Sequence, residues 1–242
     1  MERSDCEEAI LEENIPCVEF LTYKPWYYGI EQYTIQNLEQ KVYRFHSAVL
    51  LVDCAWTHCT ILPLYDPLSF QVFTNQIFLT HAVQRHMLQL HASLIDDHGR
   101  GVVFLGPSGI GKTTQAERWM QYRGSTIING DVGLVQRTGD GYLAWGTPWH
   151  GSSPYCMNAS VPVKALVVLK QAPFNALREL TGFEKVAEVS GSVFYPTWLE
   201  NGMELCTDTL NHLLTDLPVY RLDNRADEEA VNLLAAELDC IS

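Results

Sequence analysis

The sequence predicts an α/β fold with a β-rich N-terminal lobe, and three patterns point to it. Residues 15–75 are rich in β-branched and aromatic residues, which favour strands. From residue 76 onward, short apolar runs alternate with segments whose apolar residues recur at helical spacing. The run Ala165–Leu169 is apolar on both faces, which is typical of a central strand. No Ser/Pro-rich linker divides the chain, so we expect a single domain over 1–242, with the lobe at 15–75 and the core at 76–242.

The N-terminal half of the chain is expected to form strands, then a helix, then a hairpin. Strands are predicted at 42–52 and 59–64 from their β-branched and aromatic content. Apolar residues at helical spacing predict an amphipathic helix over 75–90. Two apolar runs on either side of a polar turn then predict a β-hairpin over 91–105.

The C-terminal half is expected to alternate helices and strands. The patterns predict helices over 112–122, 209–217 and 227–238, and strands at 126–129, 132–136, 142–145 and 219–222. The last helix begins with acidic residues, which suit the positive end of a helix dipole.

Composition and charge exclude several classes of protein. Lys and Arg total 16 against 29 Asp and Glu, which gives a formal net charge of −13. Phosphate backbones repel such a surface, so we expect no nucleic acid partner. The longest apolar runs fall far short of the roughly 20 residues that span a bilayer, so we expect no membrane partner. Seven cysteines without a Cys-x-x-Cys pair, and a start that lacks an apolar signal core, predict a reduced, cytoplasmic protein.

The most specific motif is a glycine-rich phosphate loop (P-loop) between an apolar strand and a helix. It has the pattern Gly-x4-Gly-Lys-Thr and comprises Gly106, Pro107, Ser108, Gly109, Ile110, Gly111, Lys112, Thr113 and Thr114. The glycines leave backbone N–H groups free to converge on a phosphate, and the helix N-terminus adds its dipole. Lys112, expected at an exposed position, would reach the β- and γ-phosphates, and the Thr113 hydroxyl would ligate Mg²⁺. The motif therefore predicts ATP or GTP with Mg²⁺, but it does not define the reaction.

Phosphoryl transfer needs a further acid, and Asp131 is the best candidate. It follows the strand 126–129 in Asn-Gly-Asp, so its carboxylate would emerge beside the phosphate loop as a Mg²⁺ ligand or a catalytic base. The alternative is a turn aspartate. His91 begins the hairpin strand that pairs with the strand before the loop, where it could orient such a carboxylate, or be structural. His150, in a loop with two Trp and two Gly, is a candidate for binding substrate or phosphate.

The segment from Leu90 to Thr113 resembles the HPr kinase/phosphorylase family. His91-Ala92-Ser93, a short turn and the loop stand at the spacing of that family's His-Gly-Val-Leu-Val segment and Gly-x-Ser-Gly-x-Gly-Lys-Ser loop. The His-Ala-Ser variant is more similar to the HPr kinase-like proteins of lasso-peptide and other ribosomal-peptide pathways. The resemblance implies a P-loop fold shared with PEP carboxykinases, with a mixed β-sheet and a kinase core at 76–242.

The resemblance also assigns roles to residues of the site. It implies that Lys112 and Thr113 hold the triphosphate and the metal, and that His91 supports the catalytic carboxylate. The family usually has two adjacent aspartates after the next strand, whereas Gly130 precedes a single Asp131 here. Either the base or the outer metal ligand of that pair is therefore missing.

The leading functional hypothesis is a kinase that moves the γ-phosphoryl group of ATP to a Ser or Thr hydroxyl. Its acceptor would be a peptide or small protein, including a ribosomal-peptide precursor. One alternative is a small-molecule kinase on the same site, although no basic cluster for an acidic metabolite is visible. The other is a nucleotide-binding sensor without transfer, which the missing second aspartate favours. The acceptor, the choice between ATP and GTP, and the oligomeric state, including a homo-oligomer, stay open.

Overall fold

A computed structural model describes residues 31–34, 40–62 and 66–240. Residues 15–30, 35–39 and 63–65 of the predicted N-terminal lobe lie outside the described residues. The chain divides into two compact units between Thr80 and His81.

The first unit contains a four-stranded antiparallel sheet. Its strands, in spatial order, are β1 (Glu31–Thr34), β2 (Gln40–Phe45), β3 (Ala48–Asp53) and β4 (Cys59–Leu62). The single strand predicted at 42–52 is wrong, because the chain reverses at His46, which adopts a left-handed φ of 52°. The two-residue turn keeps Phe45 and Ala48 paired, so the strand-like pattern of the sequence runs through it without a visible break.

Helix α1 (Pro67–Ala82) follows the sheet and overlaps only the first half of the predicted helix at 75–90. Its start is fixed by the Asp66 carboxylate, which accepts the backbone N–H groups of Leu68 at 3.2 Å and Ser69 at 3.4 Å. A short 3-10 turn at Val83–Arg85 ends it, and residues 87–90 are strand. The predicted boundary is therefore wrong, since apolar strand residues continued the helical spacing by coincidence.

The second unit is built on an eight-stranded sheet. Its strands are β5 (Met87–Asp96), β6 (Gly101–Leu105), β7 (Thr126–Asn129), β8 (Val132–Thr138), β9 (Gly141–Trp145), β10 (Ser160–Gln171), β11 (Ala176–Glu179) and β12 (Val219–Asn224). They are ordered β11-β12-β10-β6-β5-β8-β9, with β7 paired to the C-terminal half of β5. Strand β10 runs parallel to β6 and β12, and the other pairings are antiparallel. The predicted α/β class with a mixed sheet is thus confirmed.

Four helices complete the second unit: α2 (Lys112–Arg123), α3 (Phe183–Val189), α4 (Gly202–Asp216) and α5 (Glu228–Cys240). Trp119 of α2 and Leu234 of α5 pack into one core with Phe104 of β6. Leu166 and Val168 of β10 are also buried, so the predicted central strand is confirmed. Within the described ranges, no helix is long and apolar enough to cross a bilayer.

A buried carboxylate ties the β5–β6 hairpin to the end of α2. Asp97, which has no exposed surface, accepts hydrogen bonds from Arg100 at 2.6 Å, Ser125 at 2.8 Å and Arg123 at 3.1 Å. Burial alone would raise the pKa of Asp97, but these hydrogen bonds outweigh it and lower the pKa. The carboxylate is therefore charged at neutral pH and holds the hairpin in register beside the helix that follows the glycine-rich loop.

Candidate functional site

The glycine-rich loop joins the end of β6 to the first residue of α2, as the sequence predicts. Three of its residues have left-handed φ values: Gly106 at 141°, Gly109 at 78° and Gly111 at 106°. Pro107, Ser108 and Gly109 are exposed, and Thr114 is exposed in the first turn of the helix. An exposed glycine turn at a helix N-terminus is a geometry that binds anions.

Lys112 does not project into solvent, so the expectation of an exposed lysine is wrong. Its side chain folds back over the loop, and only 6% of the residue is exposed. The ammonium donates to the carbonyl oxygens of Gly106 at 3.0 Å and Pro107 at 3.4 Å. Burial lowers the pKa of Lys112 to about 8, although the nearby Asp131 carboxylate opposes this shift.

A cluster of three side chains lies beside the glycine-rich loop: those of His91, Lys112 and Asp131. His91 Nε2 is 3.0 Å from Lys112 Nζ and 3.1 Å from Asp131 Oδ1. The sheet fixes this contact, because Val132 pairs with His91 and the Ala92 N–H donates to the Asp131 carbonyl at 2.8 Å. The structure therefore brings together the histidine, lysine and carboxylate that the sequence analysis singled out.

Asn129, which the sequence analysis did not select, shapes the turn that carries Asp131. Its Oδ1 accepts the backbone N–H groups of Asp131 and Val132, both at 2.8 Å. Its Nδ2 donates to the carbonyl oxygens of Thr147 at 2.9 Å and Trp149 at 3.2 Å. The Asn-Gly-Asp sequence was the available signal, since asparagine side chains fold back onto the backbone two residues on.

Ser93, to which the sequence analysis gave no role, shares an acceptor with Thr113. Both hydroxyls donate to the Gly130 carbonyl oxygen, Ser93 from 2.9 Å and Thr113 from 3.0 Å. Because the Thr113 hydrogen points at this carbonyl, the oxygen lone pairs of the hydroxyl stay available to a cation. No pattern in the sequence identified Ser93, which looks like an ordinary buried strand residue.

The loop at 146–157 lies against the turn that carries Asp131. The Gly130 N–H donates to the Tyr155 carbonyl at 3.1 Å, and the Met157 N–H donates to the Ile128 carbonyl at 2.8 Å. His150 bonds within this loop, through Nδ1 to the Ser153 carbonyl oxygen. The structure thus places His150 in a loop beside Asp131, but its ring contact is to its own loop.

A divalent cation would find two kinds of protein oxygen at this site. The Thr113 hydroxyl donates to the Gly130 carbonyl, and Asp131 is the residue after Gly130. The hydroxyl and the carboxylate both offer hard oxygen donors, which suit Mg²⁺. Among the residues of known placement, no group of three or more His, Cys, Asp or Glu side chains could hold a metal ion alone. The donor set therefore fits a cation that takes most of its ligands from phosphate and water.

Fold and site together define an α/β protein with a mixed sheet, a glycine-rich loop before a helix, and a His–Lys–Asp cluster beside that loop. The family model described as SynChlorMet cassette protein ScmC matches residues 65–222, which is more than half of the chain. The chain therefore belongs to this family. No curated protein matches the sequence.

Proposed function

We propose that this chain is a P-loop kinase, similar to the HPr kinase family, that phosphorylates a Ser or Thr hydroxyl with ATP. The observation that carries the proposal is the cluster of Lys112, His91 and Asp131, joined by contacts of 3.0 and 3.1 Å beside the loop. A phosphate-binding lysine next to an oriented carboxylate is the arrangement that phosphoryl transfer to a hydroxyl needs.

The nucleotide would occupy the glycine-rich loop. Its phosphates would accept hydrogen bonds from the loop backbone, and Lys112 would leave the carbonyls of Gly106 and Pro107 to contact them. Negative phosphate charge favours the charged form of Lys112 and opposes the lowering of its pKa by burial. Mg²⁺, held by Thr113 and Asp131, would neutralise charge on the β- and γ-oxygens.

The acceptor hydroxyl would approach Asp131. The hydroxyl oxygen forms the new bond to the γ-phosphorus as the bond from that phosphorus to the β,γ-bridging oxygen breaks, and ADP leaves. Asp131 takes the hydroxyl proton or orients the hydroxyl, and His91 holds one carboxylate oxygen in place. The family description names a cassette protein, so peptides encoded in the same cassette are the first acceptors to test.

Intact-mass analysis of candidate peptides after incubation with ATP and Mg²⁺ tests this proposal. A mass gain of one phosphoryl group, dependent on Asp131, would support it, and a parallel arm with GTP would identify the nucleotide. The matched control is Asp131→Asn, whose ATP binding is followed by calorimetry. Tight ATP binding without transfer to any peptide would favour the nucleotide sensor instead.

A further inference from the structure

We infer that residues 146–157, the acceptor loop, bind the acceptor segment, and that Gly151 determines which hydroxyl reaches Asp131. This inference rests on the proposed kinase function. The substrate side of the site then lies in a loop from which only His150 was predicted to have a role.

The acceptor loop is built onto the Asp131 turn by hydrogen bonds at several points. The Asn129 side chain holds it through Thr147 and Trp149, and the Thr147 hydroxyl donates to the Val132 carbonyl at 2.6 Å. The Gly130 N–H holds it at Tyr155. The loop also packs tightly against the Asp131 turn, since a Cβ at Gly130 would lie 1.8 Å from the Ser153 hydroxyl oxygen. A loop held this way presents a fixed surface to a substrate.

Gly151 is the point where this loop meets the carboxylate. A Cβ built on Gly151 would lie 2.4 Å from Asp131 Oδ2, and the φ of Gly151 is 55°. The other oxygen, Oδ1, is the one near His91, and 33% of the Asp131 side chain is exposed. Gly151 therefore borders the space beside Oδ2, and a side chain at this position would occupy it.

The charges around the loop define the class of acceptor. From Gly141 to Val163 the chain holds no Asp, Glu, Lys or Arg. Two carboxylates lie against the loop: Asp131, beside Gly151, and Glu117, which accepts a hydrogen bond from the Tyr155 hydroxyl at 3.2 Å. Acidic residues beside the acceptor hydroxyl would meet these carboxylates and no cation of the loop. The acceptor is therefore a Ser or Thr without acidic residues beside it.

The first test uses wild-type protein with a library of synthetic peptides that carry one central serine. Radiolabelled ATP and Mg²⁺ report transfer as the flanking positions are varied among apolar, acidic and basic residues. Uncharged flanks should be preferred over acidic ones. A preference for acidic flanks would overturn the inference, and absence of transfer to every peptide would instead refute the proposed kinase.

The second test compares two glycine variants with the best library peptide. Gly151→Ala should lower kcat/KM for the peptide about a hundredfold, the loss that small misplacements cause, and leave ATP binding unchanged. Gly124→Ala is the matched control, because its φ is 69° and nothing lies within 4 Å of a Cβ there. It should retain wild-type transfer. Wild-type kcat/KM in Gly151→Ala, or a loss of ATP binding that parallels the loss of transfer, would overturn the assignment.

Discussion

Replacing Lys112 with methionine should stabilise the folded protein and abolish transfer. Lys112 is 6% exposed and its pKa is lowered to about 8 by burial, from 10.5 in a free lysine. Since each pKa unit corresponds to 1.36 kcal/mol, the charged form costs roughly 3 kcal/mol at neutral pH. The hydrogen bonds to Gly106 and Pro107 offset part of this cost, at about 1 kcal/mol each. The net gain expected for Lys112→Met is therefore about 1–2 kcal/mol.

The pH dependence of this gain has a definite sign. The folded state lowers the pKa of Lys112, so the unfolded chain binds the proton more tightly, and the penalty is present in full below pH 8. It disappears as the pH rises from about 8 toward 10.5, where both states are neutral. The stability difference between variant and wild type should therefore shrink over that range.

Both parts of this prediction can be measured. Urea unfolding at pH 7 and again near pH 9.5 gives the stability difference, and peptide phosphorylation gives the loss of transfer. Lys112→Met should have the higher urea midpoint at pH 7, and the difference should narrow at the higher pH. A less stable variant, or a difference that does not change with pH, would contradict the burial argument. Wild-type transfer in the variant would remove Lys112 from the mechanism.

Three further predictions concern other parts of the site and its support. Asp131→Asn should keep ATP affinity within about tenfold in calorimetry but lower transfer at least roughly a hundredfold, and adding His91→Ala should be less than additive. Ser93→Ala removes one of the two hydroxyls that hold the Gly130 carbonyl beside Thr113 and Asp131. In calorimetry it should therefore raise the Mg²⁺ concentration needed for ATP binding without weakening metal-free ATP binding. Asp97→Asn should cost about 3 kcal/mol at pH 7 in urea unfolding, because Arg123 loses its buried partner. That cost should fall as the pH drops through the lowered pKa of Asp97, since wild type then loses the same charge; a pH-independent cost would contradict this.

The sequence predicted those parts of the fold in which local pattern and tertiary packing agree. Three elements were predicted because their periodicity and their turn residues indicate the same structure. They are the hairpin of β5 and β6, the start of α2 and the buried strand β10. Helix α1 was misplaced because its apolar residues are followed by strand residues with compatible spacing. Strand β11 is mostly exposed, and Val189 is the buried residue of helix α3, so neither element has an apolar pattern that predicts it.

The site shows the same division between local and non-local information. The proximity of His91 to Asp131 was one of two alternatives for this histidine and was implied by the family resemblance. The pairing of β5 with β8, which brings the two residues together, was not predicted. The burial of Lys112 was not predicted either, since it depends on the side chain folding over a loop of unusual backbone angles. Ser93 acts through the carbonyl oxygen of another segment, and such a hydrogen bond leaves no residue pattern in the sequence. Asn129 had a local signal in Asn-Gly-Asp, but its bonds to Thr147 and Trp149 did not. Their contributions could be found only once the turn after β7 was in place.

The pairing of β5 has a consequence for motion at the site. One edge of this strand is bonded to β6, and the other to β8 and then β7. The Gln89 carbonyl also accepts the Phe194 N–H at 2.9 Å. Amide hydrogens of β5 should therefore exchange with solvent only when much of the sheet opens. His91 and Ser93 lie on this strand, so hydrogen exchange at the histidine and the serine should report the opening of the whole sheet and not a local motion of the site.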